Sequence, residues 1–127
     1  MNLNELSGTI IEVAIDIHRR LGLGLLESVY KEVMLHELRK RGFKVEKEVP
    51  IPVVWDEFQL EAGFRADLIV EGRLIVELKS VEANSPVHKK ILLTYLRLAN
   101  IRLGLLMNFG MELLKDGISR VANEFVE

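Results

Sequence analysis

Between Arg65 and Lys79 two arms of alternating apolar character flank a short turn at Gly72, a pattern that predicts a β-hairpin. Side chains alternate across a strand with period two. Ala62, Phe64, Ala66, Leu68 and Val70 are then expected on one face of the first arm, with Arg65, Asp67 and Ile69 on the other. On the second arm Leu74, Val76 and Leu78 share a face, opposite Glu77 and Lys79. A three-residue loop, Glu71 to Arg73, pairs Val70 with Leu74 and sets Asp67 across from Glu77. A two-residue loop would mix the faces, so the pattern selects the odd length, with glycine at a left-handed position. Cross-strand Cβ atoms lie about 5 Å apart, and two carboxylates at that distance repel unless a proton or cation lies between them. Lys79 adds an ammonium to the same face.

The remaining composition narrows the class. At 127 residues the chain reads as one domain, 1–127, long enough to bury a core. Charged residues at 28% and hydrophobic ones at 49% exclude disorder, and the high apolar share favours an oligomer, with a homodimer expected. The net charge of −2 gives no general pull toward nucleic acid. Phosphate contacts would therefore come from a modest basic patch, for which Lys89, Lys90, Arg97 and Arg102 are candidates beside the alternative of a solvated helix face. Without cysteine there is no disulfide framework, thiolate metal site or cysteine nucleophile. The first residues lack a signal pattern and no apolar run nears the ~20 residues of a membrane span, so a cytoplasmic protein with no membrane partner is expected. His18, His36 and His88 are isolated, which disfavours zinc, and Trp55 is expected to be packed or at a rim.

In chain order, Ser7 is read as an N-cap for a helix carrying Ile10, Val13, Ala14, Ile17 and Leu21, ended by Gly22 and Gly24. A second helix is expected from about Glu27 to Lys40, burying Val29, Val33, Leu35 and Leu38 in some combination. Phe43 to Trp55 reads as a strand at an edge or a bend, because Pro50 and Pro52 cannot donate to a ladder. After the hairpin, Asn84-Ser85-Pro86 opens a helix to Ala99 with Val87, Ile91, Leu92, Tyr95, Leu96 and Leu98 inward, closed by Asn100. Ile101 to Phe109 is apolar at nearly every position, as in a strand buried on both faces. Ile118 to Phe125 makes a last edge strand. The class is α/β or α+β, a mixed central sheet flanked by helices.

Glu27 opens the second helix just after Gly24, and Tyr30 follows one turn on. Glu27 complements a positive helix start and Tyr30 could simply anchor the helix. Should that start lie over the hairpin's polar face, Glu27 becomes a third carboxylate, and three carboxylates with water suit Mg²⁺ or Mn²⁺.

Glu27 and Tyr30 in the Gly24 frame, Asp67, Glu77-Leu78-Lys79, Tyr95-Leu96 and Gly104-Leu105-Leu106-Met107-Asn108-Phe109-Gly110 together resemble the GxxExxY proteins, assigned to the PD-(D/E)xK nuclease-like superfamily. The resemblance spans about Ile10 to Val121 and implies a single-domain restriction-endonuclease-like core. It further implies Mg²⁺- or Mn²⁺-dependent hydrolysis of phosphodiester bonds in nucleic acid, DNA above RNA. Asp67, Glu77, Glu27 and the Leu78 carbonyl would serve the metal. Lys79 would orient the attacking water or stabilise the transition state, and Tyr30 and Tyr95 would support. Ile91 stands where the family carries a glutamine, a departure that favours the alternative of a non-catalytic nucleic-acid-binding or assembly domain keeping the fold. Lys90 and His88 are expected about 100° or more around the helix from Ile91, too far to substitute. Leu23 replaces a family proline, which affects loop rigidity only.

Overall fold

The computed structural model describes residues 1–124; Phe125 and the side chain of Ala62 lie outside the described parts. Helices α1 (Leu3–Leu21) and α2 (Glu27–Lys40) are followed by strands β1 (Val45–Trp55), β2 (Phe58–Val70) and β3 (Leu74–Lys79). Helix α3 (Pro86–Ala99) then leads to β4 (Leu103–Asn108), a short 3₁₀ turn at Leu114–Gly117, and β5 (Ile118–Ala122). The five strands lie in sequence order. All neighbours run antiparallel except β3 and β4, which are parallel and joined by α3. No described helix is long and apolar enough to cross a membrane.

Two cores sandwich the sheet. On one side α1 and α2 supply Ile10, Val13, Met34 and Leu38 against Leu74, Val76, Leu78, Leu105 and Met107. On the other, Leu92 and Leu96 of α3 meet Ile69, Ile75 and Leu106. Strand β4 is buried at every residue because helices cover both its faces. The hairpin's second face is likewise covered: β3 is buried from Leu74 to Leu78.

The boundaries of α2 and α3 coincide with the expected ones, and Asn100 ends α3 in the left-handed conformation (φ 55°). The start of α1 does not. Asn2, not Ser7, caps it, accepting from the Glu5 amide at 2.8 Å; Ser7 is buried inside the helix and donates to the Asn4 carbonyl. Val29, Val87, Ile91 and Leu98 are exposed rather than inward, because α2 and α3 each cover only a narrow strip of sheet. Trp55 is 74% exposed at the tip of the β1–β2 hairpin, which reaches past the three β2 residues paired to β3. Edge strand β1 carries Pro50 and Pro52, and its register shifts between Ile51 and Val53 around the second proline.

Candidate active site

The hairpin turn is as expected: Val70 pairs with Leu74 across Glu71, Gly72 and Arg73, with Gly72 at φ 65°. The expected alternation along β2 fails at one residue. Leu68 and Val70 face α1 and α2, whereas Phe64 and Ala66 belong to the core under α3, along with Ile69. The face switches at Asp67. Opposite it by register is Glu48, at φ 50°, and the paired residues step from Lys47–Leu68 to Val49–Ala66 around them. A local irregularity in both strands at once keeps the register yet turns the face, which period-two counting cannot detect.

The β2–β3 ladder also ends here, its last rung being Leu68 with Val76. Beyond it, side chains replace backbone rungs. The Asp67 amide donates to Glu77 Oε1 at 3.0 Å, and the Leu78 amide donates to Asp67 Oδ2 at 2.9 Å. Glu77 is 8% exposed. Burial first, and then the charge of Asp67, push its carboxyl up to about 8. The strands thus hold two acids close together, each bonded to the opposing backbone.

Lys31, one turn after Glu27 on α2, sits on the other flank of Asp67. Its ammonium lies 3.1 Å from Glu48 Oε1 and 3.7 Å from Asp67 Oδ1, with the side chain 12% exposed. Burial alone would lower the lysine's pKa, but the Glu48 hydrogen bond and the charge of Asp67 raise it on balance. Sequence alone does not single out Lys31, whose one signal is its i+4 spacing from Glu27 on the face turned to the sheet.

Glu27 is held near this centre by the turn before it. Tyr30 is fully buried, stacks on Phe109 at 4.5 Å, and donates its hydroxyl to the Gly22 carbonyl at 2.6 Å. The same hydroxyl accepts from the Leu25 amide, and Ser80, directly after Lys79, donates to the Leu25 carbonyl at 2.9 Å. The start of α2 is therefore tied to the end of β3. Burial raises the Glu27 pKa and Asp67 adds to it, while Lys79, Lys31 and His88 oppose. Glu27 thus feels Asp67, but no group of three or more His, Asp or Glu side chains among the described residues is gathered to hold a metal ion. The close pair is Asp67 with Glu77.

Helix α3 closes the other side. Glu77, Lys79, His88, Ile91 and Tyr95 line a cavity of about 80 Å³, enough to admit water-sized groups. Tyr95 stacks on Phe64 at 3.7 Å; burial raises its pKa and Glu77 and Asp67 add to it. The expectation that His88 lies too far round the helix is corrected. Three residues separate it from Ile91, an offset of about 60°, and both side chains line the one cavity. His18 is structural, its Nε2 2.9 Å from the Met111 carbonyl.

The Asn108-Phe109-Gly110 segment braces the floor. Asn108 is buried, accepts from the Val81 and Gly110 amides, and donates to Asn84 Oδ1 at 3.1 Å. A Cβ on Gly110 would lie 2.1 Å from the Val81 carbonyl oxygen, so the backbones meet only because this residue is glycine. Lys89 and Lys90 lie at the start of α3 and Arg102 beyond its end, about 20 Å away by helix rise; they do not form one patch.

The mixed five-stranded sheet, the crossover helix and an Asp facing a Glu-x-Lys across an opened hairpin agree with one further finding. The sequence model of the PD-(D/E)XK nuclease superfamily matches residues 4–121. The chain belongs to that superfamily. Comparisons with curated proteins and with solved structures gave no match. Superfamily membership accounts for the nuclease-like fold. PD-(D/E)XK nucleases generally depend on a divalent metal, and the donor chemistry here fits one. Two carboxylates fixed by backbone amides, one of them buried and disposed to keep a proton, are hard oxygen donors whose mutual repulsion a cation would relieve.

Proposed function

We propose that this chain is a Mg²⁺- or Mn²⁺-dependent nuclease that hydrolyses phosphodiester bonds in DNA, of the GxxExxY branch of its superfamily. The observation that carries the reading is the interlocked Asp67–Glu77 pair with Lys79 two residues on. Asp67, Glu77 and the Leu78 carbonyl would hold the ion, with Glu27 reaching it through water. When bound, the metal supplies a Lewis acid for the phosphate and lowers the pKa of its water. The chain does the rest. Burial disposes Glu77 to keep a proton, and losing it frees the carboxylate to hold a cation beside Asp67. Lys79, which lines the cavity beside Glu77, would orient the attacking water or stabilise charge growing on the phosphate oxygens. Tyr30 and Ser80 keep Glu27 beside Lys79, and Tyr95 walls the carboxylates from the α3 side.

A cytoplasmic homodimer is part of the proposal, supported by the exposed Trp55 and Phe58 at the β1–β2 tip. The rival reading, a non-catalytic nucleic-acid-binding or assembly domain, is favoured by Ile91, 40% exposed at the cavity where the family glutamine would stand. Cleavage of duplex and single-stranded DNA and of RNA with Mg²⁺ or Mn²⁺ decides between them. The nuclease reading expects cutting that Glu77→Ala abolishes; equal activity in the variant, or none with any divalent ion, supports the rival.

A further inference from the structure

Beside the start of α1, three arginines converge. Arg73 precedes β3, Arg102 precedes β4 and Arg120 lies in β5, and their side chains line a cleft of about 580 Å³ with Asn2 and Asn4. No acidic residue lines it among the described residues. This is unexpected in a chain with 19 acidic and 17 basic residues. Two of the guanidinium groups are held in place. Arg73 donates to the Met1 carbonyl at 2.9 Å and Arg120 to Asn4 Oδ1 at 3.0 Å. Neither partner is charged, so the contacts orient the cations without neutralising them. Arg102 is exposed, and its side chain makes no hydrogen bond or ion pair with the described residues.

The cleft also takes in the first turn of α1, whose amides beyond the Asn2 cap lack intrahelical acceptors. The Glu5 amide is given to Asn2 Oδ1 and the Leu6 amide to the Asn2 carbonyl, which leaves the amides of Leu3 and Asn4. Planar guanidinium forks match tetrahedral oxyanions in pairs, and a helix start adds donors and positive potential. Three like charges in one cleft repel one another until an anion enters. We infer that the cleft formed by Arg73, Arg102, Arg120 and the start of α1 binds a phosphate group, either free or carried by a nucleic-acid backbone. It is distinct from the carboxylate centre, with Arg73 four residues before Glu77 or about 13 Å along β3 at the rise of a strand, and it does not depend on the nuclease reading.

The test is an NMR titration of isotope-labelled protein with inorganic phosphate in the presence of EDTA, which silences any ion at the carboxylates. The expected result is saturable movement of the Leu3 and Asn4 amides. Arg102→Gln, which breaks no side-chain hydrogen bond or ion pair among the described residues, should weaken binding about tenfold, and Arg102→Gln with Arg120→Gln should abolish it. Lys115→Gln, outside the cleft, should leave it unchanged. A short DNA duplex is then added to the phosphate-bound protein. Displacement at Leu3 and Asn4 assigns the site to a nucleic-acid backbone; persistence of the phosphate signals assigns it to a small phosphorylated ligand. No movement at Leu3 and Asn4, or equal binding by Arg102→Gln, overturns the proposal.

Discussion

Asp67 and Glu77 are cross-linked through each other's strands: the Asp67 amide donates to the Glu77 carboxylate at 3.0 Å while the Leu78 amide donates to the Asp67 carboxylate at 2.9 Å. Neither carboxylate can move without breaking a hydrogen bond to the opposing backbone. The pair is preorganised, and its cost is stored as repulsion and desolvation at Glu77.

That stored cost sets a pH dependence. The Glu77 pKa is raised from 4.5 to about 8 on folding. Its contribution to stability is therefore full below about pH 4.5 and is lost as the pH rises through about 8. Urea unfolding in EDTA should show stability falling between about pH 4.5 and 8, and Glu77→Gln should flatten the fall. Metal affinity should move oppositely, rising over the same window as the proton leaves.

Lys31 balances the same charge from the α2 side, 3.7 Å from Asp67. Replacing it by Met removes a cation that competes with any ion. At about 1 kcal/mol for a partly exposed pair, Mn²⁺ affinity should rise about fivefold while thermal stability without metal falls. Calorimetry and melting read the two effects. Weaker Mn²⁺ binding in Lys31→Met would mean that the ammonium does not act on Asp67.

Tyr30 fixes the turn that presents Glu27. Tyr30→Phe keeps the stacking on Phe109 but strands the Gly22 carbonyl and the Leu25 amide. The expected loss is about 1–3 kcal/mol, read by chemical denaturation, with cleavage falling further than stability alone explains.

Gly110→Ala tests the brace under the site. Its methyl would meet the Val81 backbone, which cannot rotate away as a side chain can. The loss should be about 3 kcal/mol. A variant as stable as the wild type would show that the loop at Val81 gives way freely.

Much of this was legible in the residues. The order of elements, the limits of α2 and α3, the Glu71–Arg73 loop and the Val70–Leu74 pairing follow from periodicity, proline and glycine, all local signals. What escaped was non-local. The face switch at Asp67 needs a matching irregularity at Glu48, some 20 residues earlier and on another strand. Lys31 and Ser80 act through partners brought near only by folding. His88 was misjudged by helix arithmetic alone: a three-residue step returns a side chain close to where it began. The arginine cleft draws its charges from β5 and from the starts of β3 and β4, and no window of sequence contains all three.

The central claim is that Asp67 and Glu77 form one site for a divalent ion. Calorimetric titration of Mn²⁺ at pH 8.5 into wild type, Asp67→Asn and Glu77→Gln tests it directly. The account predicts one ion bound by the wild type and at least a tenfold loss of affinity in each variant. Absence of binding to the wild type, or binding that neither substitution changes, would contradict it.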